Sequence, residues 1–111
     1  MSRELATTNG HITLTDEMKD AILSSPFIAL TSVSKVGVPH LIVVGKVKNI
    51  AEDSQLIFGV YKMEQTRKNL TETGWLQAVV VSGKVGYRFT GKAVAQNDEV
   101  TLTIEQAAAL L

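Results

Sequence analysis

From Phe27 onward the chain is written in short apolar runs rich in valine and isoleucine, broken every ten residues or so by glycine and polar clusters. That rhythm belongs to an antiparallel sheet or barrel. Residues 27–33 and 40–47 read as two strands joined by a turn at 35–39 around Gly37, and 51–54 breaks the pattern before a third strand at 55–61. A short helix is expected over 66–73, capped by Thr66 and ended by Gly74. Residues 75–82 and 87–95 then form a second hairpin around 83–86, and 100–104 a last strand. Ahead of the sheet, Thr15 caps a helix with Asp16 and Glu17 in its first turn and Met18, Ala21 and Ile22 on one face, ending before Pro26. Residues 1–13 show no sustained period and read as a loose arm or a strand added late.

Six short strands around a helix suit a closed or nearly closed barrel, which hides the edges an open sheet exposes; a sandwich is the alternative. The run Leu41-Ile42-Val43-Val44 is apolar on both faces, and residues 78–81 repeat the feature. A strand of that kind needs cover outside as well as inside. One short helix cannot cover two such strands, so a homodimer is expected.

With 111 residues, 45% of them hydrophobic, the chain can bury one core, so a single domain over 1–111 is expected. Eleven basic and eleven acidic residues cancel. This argues against a partner such as nucleic acid or an anionic membrane, and any anion site must be local. No cysteine is present, which excludes disulfides, thiolate metal sites and cysteine nucleophiles and suits a cytoplasmic location. No apolar run approaches a membrane span and residues 1–14 lack a signal-peptide core, so a soluble, unprocessed protein is expected.

Catalytic signatures are missing: there is no nucleophile elbow, HExxH, glycine-rich dinucleotide loop or CxxC. His11 and His40 lie far apart without further ligands near them, so no metal site is expected, and Asp16, Glu17, Asp98 and Glu99 suit caps and turns. The segment 62–69 differs. Thr66, Arg67 and Lys68 place a hydroxyl and two cations at a helix start, where cations oppose the dipole and a phosphate would relieve the conflict. A solvated helix with Glu64 screening Lys68 is the plain alternative. Gly45-Lys46 and Phe58-Gly59 set glycine inside strands, which marks either a shallow floor for a flat ring, if the two strands are neighbours, or barrel curvature.

The helix at 15–24, the strand Ile28-Ala29-Leu30-Thr31-Ser32-Val33, the turn Gly37-Val38-Pro39-His40, the strand Leu56-Ile57-Phe58-Gly59, the block Thr66-Arg67-Lys68-Asn69-Leu70 and the strand Tyr87-Arg88-Phe89-Thr90-Gly91-Lys92-Ala93 together resemble the FMN-binding split barrel. This is the superfamily of pyridoxamine 5'-phosphate oxidase and of small bacterial FMN-binding proteins. The resemblance runs over about residues 15–95 and rests on order and spacing. It implies a mainly β, six-stranded antiparallel split barrel of Greek-key type with one or two short helices, and a homodimer with FMN at the interface. The matching phosphate positions are Thr66, Arg67 and Lys68; those along the flavin edge are Val43, Val44, Gly45 and Lys46. Phe58, Gly59, Val60 and Tyr61 match residues along the ring and ribityl chain, and Trp75 and Gln77 those reaching in from the second subunit. The expected function is an FMN-dependent redox protein with its own electron partner or substrate. The chain ends in 105–111 without the arginine- and histidine-rich region of the oxidases, which argues against pyridoxamine phosphate as substrate. The other readings are a non-catalytic barrel that binds or senses a flavin, haem or the deazaflavin F420, and a ligand-free structural dimer.

Overall fold

The computed structural model describes residues 12–110. Helix α1 (Asp16–Ser24) starts at the predicted cap: Met18 N–H donates to Thr15 Oγ1 at 3.1 Å, while Asp16 and Glu17 face the positive end of the helix dipole. Its far end has no basic residue of its own. Lys46 supplies one from outside, its Nζ donating to the Leu23 carbonyl at 2.9 Å.

All the strands join one antiparallel sheet of order β2-β1-β5-β6-β7-β4-β3. These are β1 (Ile28–Val33), β2 (Pro39–Val44), β3 (Asn49–Ala51), β4 (Gln55–Gly59), β5 (Trp75–Ser82), β6 (Val85–Gln96) and β7 (Glu99–Ala109). Both expected hairpins are present. In the β1/β2 turn Gly37 holds φ 86°, and its N–H and that of Val38 both close onto Ser34.

Among the described residues the strand count corrects the expected six to seven. The addition is β3, which lies after the expected end of the second strand at 47, in residues the pattern leaves unassigned, and takes in the first residue of the expected break at 51–54. β2 stops at Val44 rather than running to 47, because past Gly45 the chain leaves that edge and the Lys48 N–H bonds the Ile57 carbonyl at 2.7 Å on the opposite edge. β2 and β3 are therefore the two ends of the sheet, and the barrel is not closed.

β7 also outruns its expected 100–104 and pairs with β6 as far as Ala109. Its register shifts between Thr90 and Gly91, where a side chain on Gly91 would put Cβ 2.0 Å from the Thr103 carbonyl oxygen. Only glycine fits that crossing. Beneath the sheet, Ile28, Leu30, Leu56, Phe58, Leu76, Val80, Phe89, Val100, Leu102 and Ile104 form a core with Met18 and Ile22 of α1. The loose-arm expectation for 1–13 lies mostly outside the described residues. At its end, however, Ile12 is buried and its N–H bonds the Ile104 carbonyl at 3.0 Å.

Candidate functional site

Helix α2 (Glu64–Glu72) follows β4 and packs on β1, β5 and β6. It begins two residues before the expected start. Its cap is Met63, which makes no side-chain capping bond, so Thr66 is not the cap but the third helical residue. Arg67 and Lys68 accordingly fall in the second turn, and Glu64 meets the dipole in the first. Thr66 points inward, 1% exposed, and among the described residues its Oγ1 is the only buried side-chain nitrogen or oxygen without a hydrogen-bond partner. Such an orphan typically costs ~1–3 kcal/mol.

The start of α2 is tied to one end of the sheet. Arg67 Nη1 donates to the Asn97 carbonyl at 3.0 Å in the β6–β7 turn, and Val60 N–H donates to the Asp98 carbonyl at 2.9 Å. Lys48 pairs with Glu99 at 2.6 Å. Gly59 and Tyr61 are exposed beside these contacts, with Lys62 Nζ 5.5 Å from the Tyr61 ring centre. Lys68 is exposed. Phe58, in contrast, buries its side chain in the core, and Val44 and Val60 pack against that core. β2 and β4 are not neighbours in the sheet, so the glycines do not share a floor made by adjacent strands. A Cβ at Gly45 or Gly59 would meet nothing within 4 Å, which leaves the backbone open at both.

A second group lies on the outer face of β2, β1 and β5. Alternation along the strands turns Ile42, Leu30, Ala78 and Val80 inward, and Leu41, Val43, Ala29, Val79 and Val81 outward. Cross-strand pairing puts Val43 beside Ala29 and Ala29 beside Val79; Leu41 sits beside Thr31, which sits beside Gln77. Trp75 continues the same face. Leu41 is 63% and Val43 61% exposed. At one end Pro26, Phe27, Ala29, Val79, Val81 and Gly83 line an apolar hollow of about 290 Å³.

A buried polar chain that sequence patterns did not single out seats α2 on β1. Asn69 and Ser32 are each 1% exposed, and Asn69 Nδ2 donates to Ser32 Oγ at 3.0 Å. Gln65 Nε2 donates to Asn69 Oδ1 at 2.9 Å. The signal was a polar residue four places after Gln65 on the helix face that also carries Thr66 and Leu70. Farther along, Thr73 Oγ1 donates to the Val33 carbonyl and Lys35 N–H to Glu72 Oε1. Elsewhere, the buried Tyr87 hydroxyl donates to Glu17 Oε1 at 2.5 Å, and this bond, with burial, pushes its pKa up to about 12. Among the described residues no helix is long and apolar enough to cross a membrane.

The family model described as pyridoxamine 5'-phosphate oxidase matches residues 14–108. No curated protein matches. Among solved structures, HupZ of Group A Streptococcus superposes with a TM-score of 0.79 at 22% identity, over 88% of this chain and 94% of that one. A conserved hypothetical protein of Mycobacterium tuberculosis gives 0.61 at 13% identity, over 96% and 85%. HutZ of Vibrio cholerae, described as a heme storage protein, gives 0.54 at 11% identity, over 85% and 90%. At these identities the likeness is one of fold.

Proposed function

Because this chain belongs to the pyridoxamine 5'-phosphate oxidase family, we propose that it is a homodimeric flavoprotein that holds FMN where two copies meet and exchanges electrons with a partner or substrate of its own. The observation that carries this reading is the uncovered outer face of β1, β2 and β5. Solvent-facing Leu41 and Val43 on β2 and Val81 on β5, the two strands that flank β1, belong to a patch of the kind a second subunit covers.

The residues present suit FMN in three respects. Thr66, with its unpartnered hydroxyl, closes the first turn of α2 and Arg67 and Lys68 open the second, a hydroxyl and two cations within three consecutive residues for a phosphate dianion, with Thr66 facing the core and Lys68 facing solvent. The open backbone at Gly45 and Gly59 lets main-chain groups approach a ring edge. Val43, Trp75 and Gln77 share the face on which the second copy would close. Lys46 is held on α1 by its bond to Leu23, Tyr61 is exposed with Lys62 beside its ring, and Phe58, Val44 and Val60 support the site from the core side. When bound, FMN supplies the redox chemistry; the chain supplies position and electrostatics.

A haem-binding role is the second reading, prompted by the description of HutZ. Haem needs an axial ligand. Among the described residues, His40 is half-buried on the inward side of β2 and Met18 and Met63 are buried, so none of these three faces outward on the outer face of β2, β1 and β5, and Tyr61, exposed just after β4, is the accessible side chain of ligand type. FMN needs no such ligand. The deciding experiment is an absorbance spectrum of freshly purified protein, followed by titration with FMN, F420 and haemin while recording the fluorescence of Trp75, the single tryptophan. Flavin absorption or saturable quenching by FMN is expected. Saturation by haemin or F420 alone would move the cofactor to that ligand, and no response to any would leave a ligand-free dimer.

A further inference from the structure

We propose that Asn69 is a positioning residue for phosphate recognition: through its bond to Ser32 on the sheet, with Gln65 of the same helix holding its amide in place, it sets the rotation of α2 about its axis, and so the direction in which Arg67 and Lys68 point. This rests on the FMN reading above. The buried face of α2 is Thr66, Asn69 and Leu70. The Thr66 hydroxyl makes no hydrogen bond, and Leu70 contributes apolar contact, which has no preferred direction. Asn69 alone of the three sends its side chain to a directional partner on the sheet, Ser32 at 3.0 Å, and takes a bond from Gln65 at 2.9 Å on its other atom. Both Asn69 and Ser32 are sealed from water, so a rotation of the helix has no solvent bond to exchange for the one it breaks.

The lever is short but sufficient. Helix side chains reach ~5–6 Å from the axis, so a 20° turn of α2 displaces their tips by ~2 Å. Hydrogen bonds tolerate a spread of ~0.5 Å. Arg67, two residues before Asn69, lies ~160° around the helix from it, and Lys68 ~100°, so neither touches the Asn69–Ser32 bond; Lys68 turns with the helix, and Arg67 turns only by giving up its bond to the Asn97 carbonyl. Asn69 therefore acts through geometry and not by contact with a ligand.

The test compares FMN with riboflavin, which carries the same ring and ribityl chain without the phosphate. Wild-type protein should prefer FMN. Asn69→Leu keeps the volume and burial but deletes both bonds; it should lower FMN affinity about tenfold, equivalent to about 1.4 kcal/mol, and leave riboflavin affinity unchanged. Gln65→Ala removes only the outer bond from an exposed position, so it folds even if Asn69→Leu does not, and should cost FMN about threefold with riboflavin again unaffected. Asn69→Gln or Ser32→Thr restoring part of the selectivity would support the geometric role. Equal losses for both ligands, or an unchanged FMN preference in both variants, would overturn the inference while leaving FMN binding in place. A wild type that binds neither flavin, or both equally, would overturn the phosphate reading and this inference with it.

Discussion

Replacing Gly91 with alanine should destabilise the protein far more than the same change at Gly45 or Gly59. The new Cβ would lie 2.0 Å from the Thr103 carbonyl oxygen and 3.0 Å from Glu105 N, and both neighbours are backbone that cannot rotate away. Relief to the 3.4 Å of ordinary contact requires β6 and β7 to part by 1.4 Å at that point, the difference between 3.4 and 2.0. An N–H···O bond spans ~2.7–3.2 Å, so such a shift breaks the rungs beside the bulge, around the pairings Gly91 with Ile104 and Lys92 with Thr103. Two rungs at ~1 kcal/mol each, plus residual overpacking, give about 3 kcal/mol. At ~4 °C per kcal/mol for a chain of this size, the melting temperature should fall by roughly 12 °C. Gly59→Ala, where nothing lies within 4 Å of the new atom, is the matched control and should stay within ~0.5 kcal/mol. Differential scanning calorimetry of the two variants beside wild type measures this. A drop of less than ~4 °C for Gly91→Ala would show that the bulge yields more easily than its geometry implies.

Two further outcomes follow from the faces and links already described. Val43→Asp puts a charge into the exposed apolar patch of the outer face, so light scattering should report one chain where the wild type reports two, with little change in chain stability; an unchanged mass would remove this face as the interface. The bond to Glu17 and burial raise the Tyr87 pKa from 10.0 to about 12, so the stabilisation is whole below pH 10 and lost as pH rises through about 12. The denaturation midpoint should therefore fall more steeply across that interval in wild type than in Tyr87→Phe, and parallel slopes would refute the link.

What could be read in advance followed local chemistry. Thr15, Asp16 and Glu17 announced α1, and the cap bond to Met18 is there. The alternating strands on either side of Gly37 and Gly83 gave two hairpins, and both glycines hold positive φ. The outward apolar residues of β2 and β5 were recognisable before anything showed which way they faced. The failures have equally specific causes. β3 is three residues long, and its turn into β4 uses Glu52 and Asp53 at positive φ, where no glycine marks the bend. The alanines at 107–109 favour helix intrinsically, yet pairing with Tyr87, Arg88 and Phe89 makes them strand. Thr66 resembled a cap because its residue type is common there, but Met63 takes the position and turns Thr66 inward. Gly45 and Gly59 drew attention as glycines in strands, yet neither is crowded, whereas Gly91 is demanded by the backbone, a requirement set by a strand met only in three dimensions.

The order of the strands also bears on how the molecule comes into being. β1 is bonded to β2 and β5, and β4 to β3 and β7, so each early hairpin finds its outer partner only in the segment from Trp75 to Ala109. That segment is a simple meander whose pairings are all local and need no long loop to close. On a ribosome delivering the chain from its N-terminus, the β1/β2 and β3/β4 hairpins are made first and must wait, with one edge each unsatisfied, until the meander emerges and receives them on its two sides. The last third of the polypeptide is thus the template on which the first two thirds are assembled.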